Sequence, residues 1–118
     1  MKKDKLSDLS LEFSCQCVAL AKELLAKKES VFADQIKRSS TSVAANIAEA
    51  GHPQSRADMI SKFEIALKEA FETDKWLQIL KQSNLVDAET YDAINKKGTK
   101  IRVLLIASIR TLKEGNKV

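Results

Sequence analysis

Residues 36–50, Ile-Lys-Arg-Ser-Ser-Thr-Ser-Val-Ala-Ala-Asn-Ile-Ala-Glu-Ala, decide the fold of this chain. Ile36, Val43 and Ile47 recur at helical spacing, so that one narrow apolar face can meet a neighbouring helix. Serine and alanine fill most of the positions between them, and such small side chains let two backbones approach closely. The segment therefore predicts a helix packed tightly inside a helical bundle. Asn46 and Glu49 lie on the same helix, where we expect little room for solvent.

The rest of the chain also favours helices. Only three glycines and one proline interrupt its 118 residues, and the apolar spacing predicts four helices, at about residues 7–28, 33–50, 56–82 and 87–114. Gly98 lies inside the fourth, where it can soften or kink the helix. Short connections favour antiparallel neighbours. We expect an all-α fold, an antiparallel up-down-up-down four-helix bundle that forms a single domain over residues 1–118.

The two cysteines and the apolar runs bear on the cellular compartment. Cys15 and Cys17 are two positions apart on a predicted helix, so their side chains point in different directions and fit neither a disulfide nor a shared metal ion. We expect both to be small buried side chains. Reduced thiols and the lack of a secretory-signal pattern predict a cytoplasmic location. The most apolar run, residues 103–109, is far shorter than the roughly 20 residues that cross a bilayer, so no membrane helix is expected.

The sequence contains no set of residues with the spacing of a known catalytic or metal-binding site. Glu49 and His52 have the spacing of one half of a di-iron site, but such a site needs a second pair, and the chain has one histidine. His52 follows Gly51, where the helix ends, and is expected in a surface loop. No nucleophile–histidine pair, phosphate-binding glycine loop or zinc-ligand spacing occurs. We therefore expect no enzymatic activity, no metal and no cofactor.

The third and fourth helices carry more apolar residues than one buried face requires. Val103 and Ile106 lie off the side that Ile101 and Leu105 use. We expect self-association through this second face; the alternative is a wide intramolecular core that uses all of these residues.

Polar residues on the second helix are expected to fix the register of the bundle. Asn46 and Glu49 are predicted to form hydrogen bonds to neighbouring helices, to Lys62, Thr73 or Arg38.

Positive charge is concentrated near the C terminus. The formal net charge is +4, and residues 85–118 hold seven basic against four acidic side chains. A basic helical protein with few aromatics would bind nucleic acid through phosphates, whereas Trp76 and Tyr91 fall within apolar patterns and are expected in the core or an interface. The alternative is an ordinary solvated face. The candidate phosphate-binding residues are Lys37, Arg38, Lys96, Lys97, Lys100 and Arg102.

The order of residues in the second and third helices is distinctive. Residues 35–50, Gln followed by the segment quoted above, precede Ser55, Asp58 and Lys62, and then residues 65–77, Ile-Ala-Leu-Lys-Glu-Ala-Phe-Glu-Thr-Asp-Lys-Trp-Leu. This order resembles the bacterial four-helix-bundle proteins encoded in intervening sequences of 23S ribosomal RNA genes, and the resemblance runs nearly the whole chain. It implies a ring-like homopentamer, related to the accessory variability protein of diversity-generating retroelements, which engages nucleic acid and a reverse transcriptase through a basic surface.

The resemblance also implies which positions matter. Carried over position by position, the family pattern falls on residues expected to act as structural or interface determinants rather than catalytic ones. They are Arg38, Asn46, Glu49, Lys68, Glu69, Glu72, Thr73 and Trp76.

Two functions are compatible with these expectations. The first is a non-enzymatic homo-oligomer, pentameric on the resemblance, that binds RNA or another structured nucleic acid through repeated basic clusters. The second is a protein-interaction scaffold or accessory subunit, for instance of a polymerase encoded nearby, in which the charge serves solubility or partner choice.

Overall fold

The four helices predicted from the apolar spacing are present in the computed structural model, which describes residues 4–115. They are α1 (Lys5–Ala26), α2 (Ser30–Ala50), α3 (Arg56–Gln82) and α4 (Ala88–Glu114). The predicted bounds of the third helix match α3 at both ends. The sequence placed the starts of α1 and α2 two and three residues too late, respectively, and placed the end of α1 two residues too late.

Side-chain caps and backbone turns set the helix ends. Asp4, Ser55 and Asp87 each accept a hydrogen bond from the backbone N–H three residues later, which satisfies a donor that the first turn leaves free. The cap at Asp4 explains the early start of α1. Lys28, with a φ of 64°, takes the left-handed conformation that ends α1, and Asn84, with a φ of 58°, does the same after α3.

One core lies between the four helices. Each helix packs against its neighbours along the chain and α1 also packs against α4, whereas within residues 4–115 no Cα atom of α1 lies within 8 Å of one of α3, and none of α2 lies within 8 Å of one of α4. On α2 the predicted apolar face, Ile36, Val43 and Ile47, is buried. Ser39 and Ser40 are buried beside it, so the small residues of α2 do face neighbouring helices.

Hydroxyl groups join the close-packed helices. Ser14 Oγ on α1 donates a hydrogen bond of 2.8 Å to the carbonyl oxygen of Ser40 on α2. On the other side of α2, Ser39 Oγ lies 2.8 Å from Thr73 Oγ1 on α3. A buried hydroxyl costs free energy unless it has a hydrogen-bond partner, so these bonds make buried serine acceptable here. Bulky side chains at the same positions would force the helices apart.

Two single residues differ from the sequence-based expectation. Cys15 is exposed and only Cys17 is buried, because the core side of α1 runs through Phe13 and Cys17. Gly98 leaves α4 uninterrupted from Ala88 to Glu114. A Cβ atom there would lie 3.1 Å from Phe13 Cε1, so the missing side chain lets α4 approach α1. None of the described helices combines the length and the apolar character that a membrane crossing requires.

Candidate functional site

An exposed apolar groove of about 770 Å³ runs along α3 and α4. Its apolar lining comes from Leu67, Phe71, Ile106 and Ile109, and Val103 lies one turn before Ile106 on α4; we call these five residues the α3–α4 face. Phe71 is 52%, Val103 60% and Ile106 40% exposed. Contiguous apolar surface of this kind marks binding sites on soluble proteins. The second apolar face predicted on the third and fourth helices is therefore open in a single copy, not absorbed into a wide core.

Charged side chains form the rim of this groove. Arg102 lies with its guanidinium 5.4 Å from the centre of the Phe71 ring and its Nη1 3.8 Å from Asp74 Oδ1. Lys113 Nζ lies 3.0 Å from Glu64 Oε2. Both contacts join α4 to α3, the two helices that line the groove.

A second cluster, centred on Arg38, joins α2 to α3. The guanidinium donates to Glu72 and, at 3.2 Å, to Glu69 Oε1, and Glu72 also accepts a hydrogen bond of 3.2 Å from Trp76 Nε1. The hydrogen bond to Glu72 raises the pKa of Arg38. Partial burial acts to raise the pKa of Glu72, but the hydrogen bonds from Trp76 and Arg38 outweigh it, and the pKa lies below its ordinary value. Arg38 and Glu72 are thus both charged at neutral pH, and the cluster acts as a clamp between α2 and α3.

The six predicted phosphate-binding residues do not form one surface. Arg38 and Arg102 belong to the contacts above, and Lys97 Nζ donates a hydrogen bond of 2.8 Å to Glu12 on α1. The exposed side chains of Lys37, Lys96 and Lys100 form no ion pair within residues 4–115. Because the backbones of α2 and α4 are not adjacent, Lys37 lies on the helix diagonal to the one that carries Lys96 and Lys100.

The helical sequence and fold are shared with known proteins. The family model described as 23S rRNA-intervening sequence protein matches residues 2–107. This chain belongs to that family. A crystal structure from Bacteroides thetaiotaomicron VPI-5482, described as a protein with unknown function from the S23 ribosomal protein family, is 48% identical to it; the match covers 90% of this chain and 99% of that one, with a TM-score of 0.87. No curated protein sequence matches the chain.

Family membership, expected from the residue order of α2 and α3, is confirmed, and the structure shows what the family-pattern residues do here. Arg38, Glu69, Glu72 and Trp76 form the α2–α3 clamp. Thr73 is completely buried inside one copy of the chain, so it acts within the bundle.

Asn46 and Glu49 behave differently from each other. The prediction that Asn46 bonds to a neighbouring helix is wrong: its Nδ2 donates to the carbonyl oxygen of Ser42, one turn earlier on α2, at 2.9 Å. Glu49 does reach α3, with its carboxylate 3.9 Å from Lys62 Nζ, but its side chain is 59% exposed and not shielded from solvent. His52 is exposed in the turn after α2, as expected. In the described part of the chain, no three His, Cys, Asp or Glu side chains are arranged to hold a metal ion.

The sequence pattern predicts Val103 and Ile106 as interface residues but does not point to Leu67, Phe71 or Ile109. The sequence does hint at Leu67 and Phe71, since these two apolar residues lie outside the row of residues that α3 buries in the core. The spacing alone does not show that α4 would extend this patch, because a helical pattern defines a face and not its neighbour.

Proposed function

We propose that this protein is a non-enzymatic homo-oligomeric helical bundle, pentameric like the family it resembles, that binds RNA or another structured nucleic acid through lysines on α4. The observation that carries the proposal is the open α3–α4 face next to exposed lysines that form no ion pair with any other described residue. Burial of Phe71, Val103 and Ile106 against another copy would remove apolar surface from water, which is the main driving force of association.

We infer that the bundle is antiparallel, with an up-down-up-down course. Ser39 pairs with Thr73, and Glu49, later on α2, pairs with Lys62, earlier on α3. Between α3 and α4, Asp74 pairs with Arg102, whereas Glu64, earlier on α3, pairs with Lys113, later on α4. This register supports neighbouring helices that run in opposite directions.

Lys96 and Lys100 are the strongest phosphate ligands of the six candidates. They are four positions apart, so they share one side of α4, and both are exposed. A phosphate bound there would displace no ion pair within residues 4–115, whereas a phosphate on Lys97 would compete with Glu12. Five copies at +4 each would carry about +20, a field that attracts polyanions.

The test measures both the mass of the oligomer and its affinity for nucleic acid. Analytical ultracentrifugation of nuclease-treated protein gives the number of copies, and fluorescence anisotropy measures affinity for a structured RNA and a DNA duplex from about 50 to 200 mM salt. We expect salt-sensitive binding that Lys96→Glu with Lys100→Glu weakens at least about tenfold, with helical content unchanged. Lys5→Glu with Lys75→Glu makes the same charge change at two other exposed lysines and is the matched control. Equal loss in both variants would contradict a binding site at Lys96 and Lys100, and no binding at low salt would contradict the nucleic-acid role.

A protein-interaction scaffold is the second candidate. The observation that favours it is that Arg38, Lys97 and Arg102, half of the predicted phosphate ligands, already face carboxylates of their own chain. A tagged protein that recovers one other protein in stoichiometric amount after nuclease digestion would support the scaffold and make the nucleic acid incidental.

A further inference from the structure

A second exposed apolar surface lies on α1. Leu11, Cys15, Val18 and Leu25 recur at steps of four, three and seven, which places them on one side of the helix. Leu11 is 62% and Leu25 59% exposed, Cys15 is exposed, and Val18 is half-buried. We call these four residues the α1 stripe. The core of the bundle does not use it, because the core lies on another side of α1.

The contacts of α1 show where this stripe lies. Glu12 and Phe13 meet α4, through Lys97 and the backbone at Gly98, whereas Ser14 meets α2. Successive residues of a helix are rotated by roughly 100° around its axis. By this rotation the α1 stripe lies next to Ser14 and away from Glu12 and Phe13, so it is on the flank of α1 nearer α2.

The same contacts relate the stripe to the α3–α4 face. α1 and α3 are diagonal to each other, and so are α2 and α4, so the α1–α2 pair packs against the α3–α4 pair across the core. The α1 stripe and the α3–α4 face are therefore on opposite sides of the bundle.

We propose that the α1 stripe of one copy packs into the α3–α4 face of the next, so that copies join head to tail and close into a ring. The inference rests on the oligomer proposed above and names its two contact surfaces. A ring of more than two copies requires two different, complementary surfaces on each chain, whereas a two-fold dimer uses one surface twice. Here one surface is a row of side chains on a single helix and the other is a groove between two helices, shapes that fit as ridge and groove.

Opposite charges lie next to the two surfaces, alongside Lys22, which is exposed on the same side of α1 as the stripe. Asp8, one turn before Leu11, is exposed and forms no ion pair within residues 4–115. Lys68 and Arg110, on the rim of the groove, are likewise exposed, and neither forms an ion pair in the described range. Opposite charges at the edge of an apolar contact fix its direction and disfavour the inverted arrangement.

The decisive experiment mixes two variants. Leu11→Glu with Leu25→Glu disables the α1 stripe, and Val103→Glu with Ile106→Glu disables the α3–α4 face; all four side chains are exposed, so circular dichroism should show unchanged helix content. In head-to-tail contact each variant is a monomer, but their equimolar mixture forms a 1:1 dimer, because one intact stripe meets one intact groove. Sedimentation gives the masses of the wild type, of each variant and of the mixture.

A thiol measurement checks the same contact without changing the stripe. Cys15 lies within the α1 stripe, so it should react with a thiol reagent at least about tenfold more slowly in the wild-type ring than in the Val103→Glu, Ile106→Glu monomer. Cys17 should not interfere, because it is completely buried within a single copy of the chain.

The outcomes separate the two proposals. A wild type that is monomeric at all concentrations overturns the proposed oligomer and the ring contact with it. If the wild type is oligomeric but the Leu11→Glu, Leu25→Glu variant keeps its mass, or Cys15 reacts equally fast in ring and monomer, the head-to-tail contact is wrong and the oligomer stands.

Discussion

Thr73 Oγ1 on α3 lies 2.8 Å from Ser39 Oγ on α2, and both residues are completely buried. Each hydroxyl also has a carbonyl oxygen of its own helix within reach: Glu69 at 2.8 Å from Thr73, and Gln35 at 2.9 Å from Ser39. Because a hydroxyl has one proton, Ser39 donates to Gln35 while it accepts from Thr73. The two helices are thus joined by a polar contact that only small side chains permit.

Removal of the Thr73 hydroxyl should destabilise the bundle without a large cavity. Thr73→Val keeps the shape and leaves Ser39 its bond to Gln35, so we expect a loss of about 1 kcal/mol in the free energy of unfolding. Urea denaturation at one fixed protein concentration measures it. Thr41→Val, which removes an exposed hydroxyl that bonds only within α2, is the control and should cost less than about 0.5 kcal/mol. Equal costs for the two variants would show that the helix-to-helix bond contributes nothing.

The Arg38 clamp should make stability sensitive to acid. Since the pKa of Glu72 in the folded protein lies below its ordinary value, the ionised carboxylate stabilises the fold above the unfolded pKa of about 4.3, and this contribution is lost as the pH falls through the folded value. We expect Glu72→Gln to be less stable than the wild type at pH 7, and the difference to shrink toward about pH 3. Thermal or urea unfolding at a series of pH values measures this difference.

The control for the clamp is Glu89→Gln, which removes an exposed carboxylate that takes part in no ion pair within residues 4–115. It should leave the pH profile close to that of the wild type. If Glu72→Gln and Glu89→Gln give the same profile, Arg38 does not stabilise the fold through Glu72.

Because α4 approaches α1 closely at Gly98, any larger side chain there should lower the free energy of unfolding. A Cβ atom would already lie 3.1 Å from Phe13 Cε1, and Phe13 is 1% exposed, so its ring has little space to move. We expect Gly98→Val to destabilise by about 1 to 3 kcal/mol, although replacement of glycine inside a helix normally helps. Ala107→Val, at an exposed position of α4, is the control and should be nearly neutral. A Gly98→Val variant as stable as the wild type would mean that α4 can shift away from α1 at no cost.

The Cys17 thiol should be inert in the folded protein. Burial raises its pKa to about 12, and the hydrogen-bond partner Ser40 offsets only part of that effect. In a Cys15→Ser variant, which leaves Cys17 as the sole thiol, we expect no reaction with a thiol reagent at pH 8 until denaturant unfolds the chain. Rapid labelling of the folded variant would show that α1 opens locally around Cys17.

Local pattern was enough to predict the four helices and their core faces. Ile36, Val43 and Ile47 on α2 are buried where the spacing put them, and Ser55 and Asp87 cap α3 and α4 through bonds to backbone groups three residues later. These features depend on residues within one or two turns of each other, so the printed order of residues contains them.

Tertiary structure alone decided which basic side chains remain available to bind phosphate. Arg38 meets a carboxylate 31 residues away and Lys97 one 85 residues away, which turns two predicted phosphate ligands into ties between helices. The groove beside Phe71 likewise exists because α4 lies alongside α3. Helical periodicity determines the side of a helix on which a residue lies, but the partner on that side depends on how the four helices pack together, and that is set by burial summed over the whole core.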